Sequence, residues 1–184
     1  NDTLIPRPDT ELVVETILNL TKQKNKIKIL EIGVGSGCIL LSILKERKNF
    51  YGTGIDISKK CLNITKLNAI NLKVCSKLKL FESDVDKFNL GKYDLIVSNP
   101  PYIKTSKIKY LEKDVAEFEP KLALDGGLDG LSEIRKVIKK SSELIKKNGK
   151  FILEIGFDQR NKVIKLLNKE GFYINSIQKD LANN

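Results

Sequence analysis

Histidine, methionine and tryptophan are absent from the 184 residues, and cysteine and proline are scarce, at three and five. The missing histidine removes the usual general base near neutral pH. It also rules against a Ser-His or Cys-His nucleophile and against a zinc site, so no metal is expected. Cys38, Cys61 and Cys75 are odd in number, far apart and form no C-x-x-C pair. That excludes a disulfide framework and fits a reducing, cytoplasmic setting. No apolar run approaches the roughly 20 residues of a membrane helix, and no signal peptide is visible, so no membrane partner is expected. The chain opens on Asn1 and holds no methionine, so a fragment or a processed chain is expected.

What is present fits a globular domain. Hydrophobic residues make up 41% and charged residues 30%, enough for one sizeable core. The formal charge is +10. Its lysines run along the whole chain instead of gathering in one tract, and arginine is limited to Arg7, Arg47, Arg135 and Arg160. Composition explains this charge better than a nucleic-acid surface does. Nucleic acid stays an open partner that the reading does not require.

Hydrophobic periodicity then sets the architecture. Residues 1–11 read as an extended lead-in, with Pro6 and Pro8 opposing a helix and Asp9 or Thr10 capping the helix that follows. Strands are predicted at Ile27–Ile32, Phe50–Ile57, Leu78–Glu82, Tyr93–Ser98, Phe151–Ile155 and Phe172–Lys179. Helices are predicted at 37–47, from the Ser58 cap to Asn71, at Leu131–Lys147 and at Asn161–Lys169. The long connection from Ile103 to Gly130 is expected to hold a short helix near 107–117. Such alternation predicts an α/β fold: a doubly wound, mostly parallel, Rossmann-like sheet with helices on both faces. Residues 1–26 and 27–184 are expected to share one domain.

Two stretches carry the chemistry. The first is Glu31-Ile32-Gly33-Val34-Gly35-Ser36-Gly37, where a strand enters a glycine-rich turn. Its G-x-G-x-G spacing is neither the dinucleotide fingerprint nor a P-loop, so a pyrophosphate is not the expected ligand. Glu31 before the first glycine suits a positive centre. Asp56 ends the second strand and can accept both ribose hydroxyls; Asp84 follows the third and can accept from an adenine amine. A nucleoside-like, positively charged, non-phosphorylated ligand follows, and S-adenosylmethionine meets all three requirements.

The second stretch is Val97-Ser98-Asn99-Pro100-Pro101-Tyr102. A buried strand runs into two prolines, which cannot continue it, and becomes a rigid corner at a strand's carboxyl end. Open α/β sheets bind their ligands at that edge.

These segments resemble class I methyltransferases, and among them the glutamine-N5 methyltransferases of the HemK/PrmC type. The resemblance rests on Ile5–Glu11, Glu31–Gly37, Asp56, Ser98–Ile103, Glu119-Pro120, Leu122–Gly127 and Asp129-Gly130, with Asp180-Leu181-Ala182 near the end. Asn-Pro-Pro-Tyr alone also occurs in nucleic-acid amine methyltransferases. Its combination with Arg7-Pro8-Asp9-Thr10-Glu11 and Leu122-Ala123-Leu124-Asp125-Gly126-Gly127 is more specific, and the lead-in favours the release-factor branch, because the related ribosomal-protein glutamine methyltransferases carry Arg-Ser-Pro there. The resemblance implies methyl transfer from S-adenosylmethionine to the glutamine amide in the Gly-Gly-Gln loop of peptide chain release factors. It implies that the release factor is the partner and that neither membrane nor ribosome is needed.

The implied cofactor site is Glu31, Gly33, Val34, Gly35, Ser36 and Gly37, completed by Asp56, Asp84, Val85 and Asn99. Val85 stands where many members carry an aromatic residue that can stack on adenine. The family's N-terminal recognition domain and its final antiparallel strand are expected to lie outside this chain.

The catalytic group implied is Asn99, Pro100, Pro101 and Tyr102. The Asn99 side-chain oxygen and the Pro100 carbonyl can each accept one N–H of the substrate amide, with Tyr102 packed on its flat face. Arg7, Thr10 and Glu11 are expected either to close the site or only to anchor the first helix. Glu119, Asp125 and Asp129 are expected to scaffold the long loop. The alternatives are a methyltransferase acting on adenine N6 or guanine N2, and a non-catalytic domain that binds the same cofactor.

Overall fold

The computed structural model describes residues 8–22, 26–110 and 121–179. Helix α1 spans Pro8–Leu20, β1 Lys28–Ile32, α2 Cys38–Glu46, β2 Tyr51–Asp56, α3 Lys59–Asn71, β3 Leu78–Glu82 and β4 Tyr93–Ser98. Short helices α4, Thr105–Ile108, and α5, Lys121–Leu124, interrupt the long connection. Helix α6 is Ser132–Leu144, β5 Ile145–Leu153 and α7 Arg160–Lys169. Among the described residues, the sheet has five parallel strands in the order β3-β2-β1-β4-β5. The chain steps outward from β1 to β3, then returns to place β4 on the other side of β1. That reversal opens a crevice at the carboxyl ends of β1 and β4.

Alternation along the strands feeds two apolar layers. Ile29 of β1 with Leu95 and Val97 of β4 face Leu40, Leu41, Ile43 and Leu44 of α2 and Ile17 of α1. Leu30, Ile32 and Ile96 face the other way, toward Val137 and Leu144 of α6. Leu40 and Ile96 are fully buried; truncating either to alanine should cost about 2–5 kcal/mol. Among the described residues, no helix is long and apolar enough to cross a membrane.

The structure corrects three expectations. Pro8 begins α1 instead of blocking it, because a first-turn position needs no N–H from proline; Asp9 and Thr10 therefore lie inside the helix, not at its cap. Helix α6 ends at Leu144, and Ile145 already pairs with Tyr93. The ion pair of Lys146 with Asp94 at 2.8 Å draws that segment to the sheet, and Asn148, at φ 64°, turns the chain where the register breaks. The expected strand Phe172–Lys179 is not formed. Phe172 packs on Phe151 at 5.2 Å, but Tyr173 is 94% exposed and Ile174 and Ile177 are exposed too, so the alternation has no layer to face. Where a helix is expected near 107–117, Thr105–Ile108 is helical, and residues 111–120 lie outside the described residues. The Ser58 cap is as expected, its hydroxyl accepting the Cys61 N–H at 3.3 Å.

Candidate functional site

The turn after β1 packs against the end of β2. Gly33 and Val34 both donate their N–H to the Ile55 carbonyl, at 2.9 Å each. Gly33 and Gly35 have φ of 73° and 55°, the left-handed region where a side chain strains the backbone. A Cβ on either would meet nothing within 4 Å, so the turn presents bare backbone to open space. Gly37 differs, since its Cβ would lie 2.7 Å from Thr65 and 2.8 Å from Leu41. Its glycine serves helix packing. Asn68 donates to the Ser36 carbonyl at 2.9 Å, and Thr65 to the Gly35 carbonyl at 2.8 Å, so α3 braces the turn from behind.

Both oxygens of Asp56 are engaged. Oδ2 accepts the Gly35 N–H at 2.9 Å and Oδ1 the Ser58 N–H at 2.8 Å. Each carboxylate oxygen has a second acceptor direction, so Asp56 can shape the turn and still receive hydroxyls. Asp84 Oδ1 accepts the Asp86 N–H at 2.9 Å and starts a 3₁₀ turn over Val85–Lys87. Glu31 is 3% exposed, with Oε2 accepting the Leu40 N–H at 3.0 Å. Burial pushes its carboxyl up to about 8, the Leu40 N–H opposes this, and nearby Asp56 adds to the rise. Burial likewise raises the Cys38 thiol, with Glu31 and Glu11 adding to it.

These groups converge on one cavity of ≈ 490 Å³. The sheet order sets Asp84, Asp56 and Glu31 on the adjacent ends of β3, β2 and β1, and Asn99 beyond β4, all lining it. Ser36 lines it as well, while Gly37 does not. Val85 forms an apolar wall, packed with the buried layer under α6. Thr10 of α1 lines the cavity; Glu11 is exposed, and Arg7 lies outside the described residues. Among the described residues, the lining holds five acids, Glu31, Asp56, Asp84, Asp125 and Glu133, against Lys136, which pairs with Glu133 at 2.8 Å. In a chain of formal charge +10, the cavity itself is acidic. Its volume lies within the range of small-molecule sites. Bare glycine backbone, three strand-end carboxylates and an apolar wall fit a nucleoside bearing positive charge.

The second cavity is a cleft of ≈ 30 Å³ lined by Asn99, Pro100, Pro101, Tyr102, Leu124 and Glu154, among others. Asn99, Pro100 and Pro101 also line the large cavity, so the corner is the wall between the two. The Ser98 hydroxyl, fully buried, donates to the Ile32 carbonyl at 2.8 Å and ties the ends of β4 and β1 together. Past the corner, Ile103 bridges Asp125 in parallel: Ile103 N–H donates to Leu124 and Gly126 N–H to Ile103. Asp125 accepts from the Thr105 hydroxyl at 2.7 Å and the Gly127 N–H at 2.9 Å. Asp129 accepts the Leu131 N–H at 3.0 Å and pairs with Arg135. Both aspartates scaffold the loop, and Asp125 reaches the cavity as well. Glu119 lies outside the described residues.

Gln159 was not singled out by the sequence. It is 4% exposed; its Oε1 accepts the Gly156 N–H, and its Nε2 donates to the Tyr102 and Gly130 carbonyls, each at 2.9 Å. Its only sequence signal is a polar amide just before an amphipathic helix, which by itself marks no site.

Comparison with known proteins agrees with this architecture. The chain is 40% identical over 180 residues to a release factor glutamine methyltransferase of Caulobacter vibrioides, covering 97% of this chain and 62% of that protein. A protein of the same description from Clostridium acetobutylicum is 38% identical, covering 97% of this chain and 64% of its own length. The chain thus spans slightly less than two thirds of these relatives. The solved ribosomal protein L11 methylase of Lactobacillus delbrueckii subsp. bulgaricus shares the fold, with TM-score 0.71 at 17% identity over 95% of this chain and 75% of that one. Residues 8–129, from the first helix to the loop behind the Asn99–Tyr102 corner, match the model of one family, and the chain belongs to it: the methyltransferase small domain family.

Proposed function

We propose that this chain transfers a methyl group from S-adenosylmethionine to the side-chain amide nitrogen of the glutamine in the Gly-Gly-Gln loop of a peptide chain release factor. One observation carries the reading. Asn99, Pro100 and Pro101 line both the large acidic cavity and the small cleft, so an acceptor held at the corner adjoins the ligand cavity. The names of the relatives from C. vibrioides and C. acetobutylicum support the same acceptor.

Glu31, Asp56, Asp84 and the Gly33–Gly35 backbone would hold the cofactor, which when bound supplies an electrophilic methyl group on a sulfonium. An amide nitrogen is a weak nucleophile, because its lone pair is shared with the carbonyl. The corner answers this by orientation. The Asn99 side-chain oxygen and the Pro100 carbonyl accept the two amide N–H groups and aim the nitrogen toward the large cavity. The prolines keep these acceptors from relaxing, so little reorganisation is required. Glu31 ionises more readily beside a positive ligand, which matches its charge to the cofactor. With no histidine in the chain, the proton leaves to water after transfer.

The test is incubation with methyl-labelled S-adenosylmethionine and a release factor bearing the Gly-Gly-Gln loop, in parallel with DNA and RNA. Label on the glutamine is expected. Label confined to nucleic acid would overturn the proposal in favour of a base-amine acceptor.

A further inference from the structure

We infer that Gln159 is a positioning residue that locks the acceptor corner to the two loops behind it. The inference rests on the proposed role of Asn99–Tyr102. Gln159 lines neither cavity, so it touches neither ligand. It acts through Tyr102, whose carbonyl it holds three residues beyond Asn99.

The joint is built for an amide. Two carbonyls, of Tyr102 and Gly130, need donors, and one N–H, of Gly156, needs an acceptor. A neutral amide is the side-chain group that offers two donors and an acceptor together. The bond to Gly130 is buried, so losing its donor strands a carbonyl away from water.

The surrounding backbone is cleared to make room. A Cβ at Gly130, where φ is 75°, would lie 2.6 Å from the Tyr102 carbonyl oxygen and 2.9 Å from Gln159 Nε2. One at Gly126 would lie 2.8 Å from the Gly130 carbonyl oxygen and 2.9 Å from the Tyr102 backbone. Three segments therefore meet on one side chain: the residues after β4, the loop before α6 and the turn before α7. Asn99 has its own side chain for the acceptor; Gln159 determines where that side chain stands.

The experiment compares Gln159→Met, which keeps the length but not the hydrogen bonds, with Gln159→Glu. Methyl transfer to the release-factor glutamine gives kcat and KM, and calorimetry with S-adenosylhomocysteine gives the cofactor Kd. Gln159→Met should lower kcat about 10- to 100-fold, the scale of a small misplacement of reacting groups, with the cofactor Kd unchanged. Gln159→Glu should lose kcat at neutral pH and regain part of it on acidification, when the protonated acid again donates one hydrogen bond, while the parent shows no such gain. Parent-like kcat in Gln159→Met overturns the inference, as does a loss of cofactor binding in step with kcat, or a flat pH response in Gln159→Glu. A parent chain that binds S-adenosylhomocysteine but leaves glutamine unlabelled overturns the functional reading and this inference with it. The first set of failures leaves parental glutamine methylation intact, so the two kinds of failure are distinguishable.

Discussion

At the ends of β1, β2 and β3 the chain offers bare glycine backbone and three carboxylates, whereas at the ends of β4 and β5 it offers carbonyl oxygens, prolines and an amide crosslink beside the single carboxyl of Glu154. The first side can change its charge. Glu31 is buried with its carboxyl pushed up to about 8, and its neighbour Asp56 contributes to that rise. The second side is held by Gln159, which does not titrate, and by proline rings, which do not rotate. A charged ligand and a neutral acceptor pose different problems. One needs a field that can adjust, the other needs fixed geometry. Mutations should therefore act on binding at one side and on turnover at the other.

The largest effect is expected at the fixed side. Asn99→Ala should lower kcat about 10²- to 10³-fold, the usual cost of losing a preorganised polar contact in the transition state, while calorimetry still detects S-adenosylhomocysteine binding. Near-parental turnover would remove Asn99 from its role. Gly35→Val probes the other side. A β-branched residue at φ 55° costs roughly 1–3 kcal/mol of backbone strain and fills the open space above the turn. Cofactor Kd should rise at least about tenfold, with kcat at saturating cofactor near that of the parent. A loss confined to kcat would break the division between the two sides.

Proton linkage provides a gentler probe. The folded carboxyl of Glu31 lies above its unfolded value, so its contribution to stability is complete below the ordinary carboxylate range. It is lost as pH rises through about 8. Affinity for a positive ligand runs the opposite way, because binding favours the ionised form. S-adenosylmethionine should bind more tightly as pH rises from 6 toward 8, with proton release, and Glu31→Gln should flatten both that trend and the fall in Tm. Titration calorimetry in two buffers of different ionisation enthalpy measures the proton. An equal slope in Glu31→Gln would exclude Glu31 as its source.

The smallest effect is expected at the loop surface. Arg135 holds the carboxyl of Asp129 down at about 2, but the pair is exposed. Arg135→Ala should change stability by no more than about 1 kcal/mol, less in high salt, with the contribution lost only as pH falls toward 2. Thermal melts at two salt concentrations measure it. A large loss of kcat would show that the loop transmits to the corner through this pair as well as through Gln159.

Much of the candidate site was legible because its signals are local. Glycines placed where φ is positive, acids within two residues of a strand's end and a strand stopped by two prolines each follow from a few adjacent residues. Legibility ended where one segment depends on a distant one. Ile145–Lys147 carries a helix-like pattern, yet β4 draws it into the sheet. Phe172–Lys179 alternates like a strand but has no layer to cover its apolar side chains.

The sequence by itself therefore determined the alternating β and α elements, the glycine turn after β1, the acids at the ends of β2 and β3 and the rigid corner after β4. Each is set by backbone sterics and hydrophobic periodicity over a handful of residues. Tertiary structure alone decided that the corner forms the wall between the acidic cavity and the small cleft. It also decided that Gln159 pins the corner, through partners 57 and 29 residues away along the chain. An amide in isolation carries no record of which carbonyls will meet it; only the packed loops leave it one arrangement that satisfies them all.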